Sequence, residues 1–299
     1  MDISILIVNY NVKEYIISCI ESIYKHSNGK LKLEIIVVDN NSKDNSVETI
    51  KKSFPQIKII ENNYNARFSA GINQGAKIAK GKYLFVLNPD TEFREDSLTI
   101  ILNEIKTHKD FGVIGPALIN PNTKIQQSFW REPTLFNTIL SMLHLDRFNY
   151  KKNYKGMKFS TTKSVDSISG GAMFMLREVF EDVNGFNENL FWMEDIDLCI
   201  RLRKKNFKVL YTPKTQIIHY GGKSSEKNIS ISISSQILSK IKFFRIYHSS
   251  LNRIILTIII FFISIIKMLL FLFLSPFRKV YRKKFFAYLS TIKRFALKY

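Results

Sequence analysis

Apolar residues follow two rhythms along the first two hundred positions. Short, mostly apolar runs at 3–8, 33–38, 57–60 and 83–87 have the pattern of strands buried on both faces. Between them the period lengthens. Tyr15, Ile16, Cys19, Ile20 and Ile23 share one helical face within 12–24, and 47–54 and 68–79 read as further helices. Gly81 stands where it would cap the last of these. Strand and helix alternate four times in ninety residues, which predicts a parallel sheet with right-handed crossovers. The middle is less regular. It predicts a helix over 97–108, strands over 112–119 and 126–131, a helix or lid over 135–145 and a basic loop over 149–164. A strand over 165–176 is broken by Ser169-Gly-Gly171, a helix begins near Glu194, and a last short strand covers 209–212. A flexible loop is expected from His219 to Ser225.

The chemistry-bearing residues stand at the ends of the runs. The strand at 83–87 stops at Asn88-Pro89-Asp90, because proline lacks an N–H and has a fixed φ. That leaves a carboxylate at the carboxyl edge of a buried strand, the usual ligand side of an open α/β sheet. Asp90, with the Asn88 amide two residues earlier, could hold a hard divalent cation alongside substrate phosphates. A plain strand-to-helix turn would use the same residues. The strand at 33–38 ends in Asp39 and a loop rich in side-chain acceptors. Glu194, Asp195 and Asp197 crowd one first helical turn, where acids compensate the helix dipole. A carboxylate held ionised there is also suited to act as a general base. His219 lies beside two glycines and could be a surface residue or a site residue.

Charge divides the chain. Of the net +20, residues 227–299 contribute 14 Lys and Arg and no acid, leaving +6 in residues 1–226. A basic tail suits nucleic acid or an anionic membrane, and the apolar run 254–274 inside it favours the membrane. Those 21 residues are about long enough to cross a bilayer core. The flank at 278–299 carries eight Lys and Arg against four in 240–253, so a crossing helix with a cytosolic body would break the positive-inside rule. Lys267 would also lie deep in hydrocarbon. An in-plane or re-entrant segment avoids both problems. Two domains are expected: a body, 1–226, and a basic helical tail, 227–299. Cys19 and Cys199 lack metal-ligand spacing and read as reduced core residues, and the N-terminus does not read as a signal peptide.

Six motifs now stand in order: Val8-Asn-Tyr-Asn11, Ile36-Val-Val-Asp-Asn-Asn-Ser-Lys-Asp44, Leu87-Asn-Pro-Asp-Thr91, Ser169-Gly-Gly-Ala-Met173, Glu194-Asp-Ile-Asp-Leu-Cys199 and His219-Tyr-Gly-Gly222. Over residues 3 to about 225 they closely resemble the family 2 glycosyltransferases, in the bacterial rhamnosyltransferase-like branch. The resemblance implies an α/β GT-A fold, a Rossmann-like and mostly parallel sheet, and inverting transfer of a sugar, rhamnose or another hexose, from a nucleoside diphosphate donor. Val8, Asn9, Tyr10, Asp39, Arg67 and Asn88 then match the donor nucleotide side, with Asp39 reading the base. Asp90 matches the metal ligand, His219 a second metal or diphosphate contact, and Mg²⁺ or Mn²⁺ the cofactor. Asp195 matches the base that deprotonates the acceptor, Glu194 its neighbour, and Gly170, Gly171 and Trp192 the donor and acceptor pocket. Where the family commonly has Asn-x-Gly-Phe, this chain has Asn65-Ala-Arg-Phe68, so Arg67 replaces a glycine. The implied partners are a polyprenyl-linked or other glycan acceptor and the anionic cytoplasmic face of the cell membrane.

The rival readings lack pieces. A sugar nucleotidyltransferase would carry a glycine-rich, basic phosphate loop after the first strand, and Asn9-Tyr-Asn-Val12 is none. A processive synthase would show Gln-x-x-Arg-Trp, whereas Gln127-Ser-Phe-Trp-Arg131 reverses the last pair. A nucleic-acid binder accounts for the charge but not the carboxylates, and an inactive scaffold stays open.

Overall fold

A computed structural model describes residues 1–27, 29–143, 145, 154, 157–223 and 229–298. They group into two compact units. The first holds the described residues of 1–132, 154–188 and 194–223. The second holds a short helix after residue 133, residues 189–193 and the C-terminal helices.

The first unit is built on β1 (Ile3–Asn9), β2 (Leu33–Asp39), β3 (Lys58–Glu61) and β4 (Tyr83–Leu87), interleaved with α1 (Lys13–His26), α2 (Ser46–Ser53) and α3 (Arg67–Ile78). After them come β5 (Thr91–Phe93), α4 (Ser97–Ile105), β6 (Phe111–Ile119), β7 (Phe129–Trp130), β8 (Lys163–Ser164), β9 (Ser167–Ile168), β10 (Ala172–Leu176), α6 (Arg177–Asp182), α7 (Glu194–Lys204) and β11 (Lys208–His219); α5 (Leu135–Met142) belongs to the second unit. The main sheet runs β3-β2-β1-β4-β10-β6-β11-β5, with β8 on β11. β3, β2, β1 and β4 are parallel, as the alternation requires; β10 enters antiparallel between β4 and β6, and β5 pairs antiparallel with β11.

The pleat of β1 divides the core in two. Ile3, Ile5 and Ile7 face a layer closed by Ile16, Cys19 and Ile20 of α1 and Leu98 and Ile101 of α4. Leu6 and Val8 face the opposite layer, closed by Ile72 of α3, Val179 of α6 and Leu198 and Leu202 of α7. A strand covered on both faces has no polar side to show, hence the mostly apolar runs, in which Ser4 and Glu34 are buried exceptions.

Several expectations are corrected. Gly81 does not cap α3, whose chain turns extended at Ala79. It lies against β1, where a Cβ would stand 2.4 Å from the Ser4 backbone nitrogen. Asp90 leads into the edge strand β5 and not into a helix. The last strand is not four residues but twelve: it absorbs Pro213 in an irregularity between Thr212 and Gln216 and ends at His219, which is therefore anchored and not in a loop. The expected strand at 126–131 shrinks to β7, paired with β9. Much of the loop expected at 149–164, and the loop end at 224–225, lie outside the described residues.

In the second unit, α8 (Ile229–Tyr247) is followed by α9 (Ser250–Leu274) and α10 (Lys279–Lys298). The last two form an antiparallel pair, with Phe271 stacked on Tyr281 and Tyr288 and Phe261 against Phe295. Among the described residues α9 is the one helix long and apolar enough to cross a membrane. Its inner face (Leu256, Ile260, Ile263) is buried. Its outer face carries Leu251, Ile254, Ile258, Phe262, Ile266, Leu269, Phe273 and, just past its end, Phe277, all exposed at helical spacing. The Lys267 ammonium donates to the Met142 carbonyl at 3.0 Å and lies over the Tyr288 ring.

Candidate active site

The sheet changes direction between β1 and β4: β2 and β3 were added on one side of β1, β4 on the other. Ligands of open α/β sheets bind outside the carboxyl ends of the strands at such a switch. Asn9 and Asp39 stand there as register partners at the ends of β1 and β2. Asn88 follows β4 directly. Val8 is buried one residue before Asn9 and Tyr10 is half-buried one residue after.

Asp39 is buried and knits this corner together. Its Oδ1 accepts from Asn9 Nδ2 at 2.7 Å and its Oδ2 from the Ser42 amide at 2.8 Å. The loop beyond is tied to the turn after β1: Asn11 Oδ1 accepts from Lys43 N, and Asp44 accepts from Lys13 N. Burial acts to raise the Asp44 pKa, but the Ser46 hydroxyl and the Lys13 and Ser46 amides outweigh it and hold it low. The carboxylate of Asp39 thus fixes this loop, and each oxygen keeps a further lone-pair direction. Arg67, the first residue of α3, has φ 73° and an exposed side chain. Its carbonyl accepts from Asn40 Nδ2 at 3.2 Å. That φ is the left-handed region where glycine is at ease, so an arginine there costs about 1–2 kcal/mol.

The turn after β4 meets the end of β11. Asp90 is buried, with Oδ1 3.5 Å from His219 Nε2 and Oδ2 accepting from the Lys223 amide at 3.3 Å. Burial works to raise the Asp90 pKa, but the hydrogen bond and charge of His219 and the Lys223 amide together leave it lowered. Asn88 Nδ2 reaches the same His219 Nε2 at 3.2 Å. A carboxylate, an imidazole nitrogen and an amide therefore converge. Among the described residues no group of three or more His, Cys, Asp or Glu gathers as a metal cage. Two protein ligands fit a Mg²⁺- or Mn²⁺-type cation that takes its remaining oxygens from substrate phosphates and water. Gln126 was not singled out by the sequence, yet it contacts His219 at two points: Oε1 is 3.0 Å from the ring Nδ1, and Nε2 donates to the backbone carbonyl. Its only sequence signal was membership of an expected strand.

Asp195 opens α7. Its Oδ2 accepts from the Gly170 amide at 3.1 Å and its Oδ1 from the Ile196 amide at 2.8 Å. The helix terminus alone does not set its pKa: burial pushes it up and outweighs those amides. A carboxylate of raised pKa is the stronger base. Asp197, its neighbour, is buried and paired with Arg201 at 2.7 Å, a structural role. Gly171 completes the link: its carbonyl accepts from the Asn88 amide at 3.0 Å, and a Cβ there would crowd Leu118 Cδ1 at 3.2 Å. One glycine pair thus holds Asp195 on one residue and Asn88 on the next. Glu194 is half-buried beside Asp195. Trp192 belongs to the second unit, where its ring meets Phe191 edge-on; it and Met193 both have left-handed backbones, φ 76° and 72°.

The family model described as glycosyl transferase family 2 matches residues 4–183, the stretch that supplies Asn9, Asp39, Asp90 and Gly170. The chain belongs to glycosyltransferase family 2. A second model, described as the N-terminal domain of galactosyltransferase, matches 145–222 of this glycosyltransferase, covering Asp195 and His219. It is 21% identical over 212 residues to the N-acetylglucosaminyl-diphospho-decaprenol L-rhamnosyltransferase of Mycobacterium tuberculosis, covering 66% of this chain and 69% of the relative. It is 29% identical over 154 residues to rhamnosyltransferase WbbL of Escherichia coli, covering 50% and 57%. Among solved structures, GalNAc-T7 with UDP, GalNAc and Mn²⁺ superposes with a TM-score of 0.57 at 20% identity, over 73% of this chain and 44% of that one. S. aureus TarS residues 1–349 gives 0.54 at 15% identity, over 100% and 92%. The fold is the GT-A type expected, and the enzyme is a glycosyltransferase.

Proposed function

We propose that this glycosyltransferase inverts the sugar it moves, from a nucleoside diphosphate donor to a hydroxyl of a lipid-linked glycan at the cytoplasmic face of a membrane. The observation that carries the reading is the pairing of Asp90 with His219 at the switch point while Asp195 is held by the same glycine turn. Asp39, with the backbone of Val8–Tyr10, holds the base and ribose end, and Arg67 and Asn88 lie on the phosphate side. Asp195 takes the proton of the acceptor hydroxyl as that oxygen bonds to the anomeric carbon. The bond from that carbon to the diphosphate breaks on the opposite face, so the configuration inverts. A divalent cation, Mg²⁺ or Mn²⁺, held by Asp90 and His219, would supply charge neutralisation for the leaving diphosphate. Donor hydrolysis scanned over nucleotide sugars with Mn²⁺ or Mg²⁺ tests the reading. Asp90→Ala should abolish cation-dependent donor binding and Asp39→Ala should weaken nucleotide affinity; wild-type binding by both would overturn it.

The acceptor class is supported by the second unit and by the decaprenol in the mycobacterial relative's name. The outward stripe of α9 is apolar from Leu251 to Phe277, and the whole tail after Glu226 is without acids. α10 runs beside α9 and carries Arg282, Lys283, Lys284, Lys293 and Arg294. If α9 crossed the bilayer, its partner would bring these charges into hydrocarbon at about 2.5–3.5 kcal/mol for each one near the centre. Lying in the interface, the pair buries its stripe among acyl chains and sets its cations against anionic headgroups. A periplasmic phosphatase active when fused after Tyr299 would refute the non-crossing tail, and complete release by high salt would refute apolar insertion.

A further inference from the structure

We infer that Gln126 is a positioning residue that locks the tautomer of His219 and so aims an unprotonated Nε2 at the Asp90 site. The inference rests on the cation reading above and deepens it.

The argument starts from a group that cannot donate. The backbone carbonyl of His219 only accepts, and the Gln126 side-chain amide contacts it at 2.5 Å. That contact must come from the NH₂ end, because two carbonyl oxygens at this distance repel. The orientation of the amide is thereby fixed, and Oε1 is the atom left facing His219 Nδ1 at 3.0 Å. An amide oxygen only accepts, so Nδ1 carries the hydrogen. In the neutral ring Nε2 then bears the lone pair; only the charged ring, the form whose hydrogen bond and charge lower the Asp90 pKa, also carries a hydrogen there. Nε2 is the nitrogen that faces Asp90 Oδ1 at 3.5 Å and receives Asn88 Nδ2 at 3.2 Å. Metal-binding histidines usually have the other ring nitrogen pinned in this way, by a carbonyl, carboxylate or water.

The backbone of Gln126 is itself held. β6 ends at Ile119, and the turn that follows is closed by Asn120 N to Lys124 O at 2.9 Å and a bridge between Ile119 and Ile125. The Gln126 amide then returns to Leu118 O at 2.8 Å. The partner of that segment across the sheet is the end of β11, where Ile218 is in register with Ile119. Gln126 thus stands one strand away from His219 on a short anchored return. This position and an amide's paired donor and acceptor are both needed: methionine of the same length, or the shorter leucine, offers no such pair.

The test begins without metal. In ¹⁵N-labelled wild-type protein, long-range ¹H–¹⁵N spectra of the imidazoles, with His219 assigned by its loss in His219→Ala, should show the Nδ1–H tautomer. In Gln126→Leu the His219 ring should shift toward the Nε2–H form. The affinity for Mn²⁺ of protein saturated with UDP or dTDP, read by Mn²⁺ spin resonance, should fall about 10- to 100-fold. Nucleotide affinity measured with no cation should stay within a factor of two. An Nε2–H ring in the wild type overturns the inference without any variant, so misfolding of Gln126→Leu cannot shield it. Unchanged tautomer and unchanged Mn²⁺ affinity in a folded Gln126→Leu also overturn it. If instead wild-type nucleotide binding ignores Mn²⁺ while the tautomer is as stated, the cation reading fails and the lock stands.

Discussion

Replacing Asp195 by asparagine changes one oxygen to an NH₂ and almost no volume, and the surroundings make the outcome specific. Wild-type Asp195 accepts two amides, from Gly170 at 3.1 Å and Ile196 at 2.8 Å. Asparagine can accept only one of them and turns its NH₂ toward the other, a donor facing a donor. Leaving that amide without an acceptor costs about 1–3 kcal/mol. Against this stands the removal of a half-buried charge. Burial raises the folded pKa of Asp195 above its ordinary 3.8, so the folded chain binds that proton more tightly than the unfolded chain. Its contribution favours folding below the ordinary value and is withdrawn as pH rises through the raised one. Asp195→Asn is exempt from that withdrawal. The stability difference between wild type and variant should therefore be largest in acid and shrink, or reverse, toward neutrality. Thermal unfolding between about pH 4 and 8 reads this. Turnover should fall by about two to four decades, the usual worth of a general base, or roughly 3–5 kcal/mol in barrier. Donor binding by calorimetry should survive. The acid limb of wild-type kcat should lie above the ordinary aspartate range, because the base must be unprotonated. Near-normal turnover in Asp195→Asn with loss in Glu194→Gln would move the base by one residue. A stability gap that widens toward neutral pH would refute the account of the burial.

Other perturbations test the frame. Gly81→Ala would put a Cβ 2.4 Å from the Ser4 backbone nitrogen, so it should lower stability by about 1–3 kcal/mol in denaturant titration, through an enforced shift of β1. Glu34 is buried at the Ser4, Lys58 and Lys80 contacts; burial alone would raise its pKa, but those partners hold it below 4.5, so it stabilises the fold above that pH and the contribution is lost as pH falls through the lowered value. Glu34→Gln should cost about 1–3 kcal/mol at neutral pH and much less in acid, read by unfolding at both. Arg67→Gly should leave stability within about 1 kcal/mol, since relief of the left-handed φ offsets the entropy of glycine. The same variant should weaken donor affinity if the side chain serves a phosphate.

How much of this was legible depends on the reach of each pattern. The runs at 33–38 and 83–87 announced β2 and β4 because a strand covered on both faces is apolar almost throughout, Glu34 being the one charged residue in the two runs. Asp39, Asn88 and Asp90 could be placed at strand ends for the same reason: a strand end is a local event. β10 was read as a strand, but its antiparallel insertion beside β4 is a pairing between residues about ninety apart, which no local window contains. Pro213 hid the length of β11, since a proline normally stops a central strand and here is absorbed by a bulge. That error placed His219 in a loop. Gln126 was invisible because its role lies in orientation, not in periodicity or charge. The raised pKa of Asp195 was not legible, because the helix terminus is written in the sequence and the burial is not.

The glycine pair after Ser169 couples the two halves of the proposed reaction mechanically. Gly170 donates to Asp195 and Gly171 accepts from Asn88, so the proposed proton-accepting side and the proposed leaving-group side hang from consecutive residues. A peptide plane is among the stiffest links a chain offers, and adjacent Cα atoms keep a fixed spacing of about 3.8 Å. Loops elsewhere can be exchanged to admit a different sugar without altering the span the transferred group must cross. An insertion of a single residue between 169 and 171 could not. This turn behaves as the gauge of the enzyme, and diversification around it is free in every direction but along its own length.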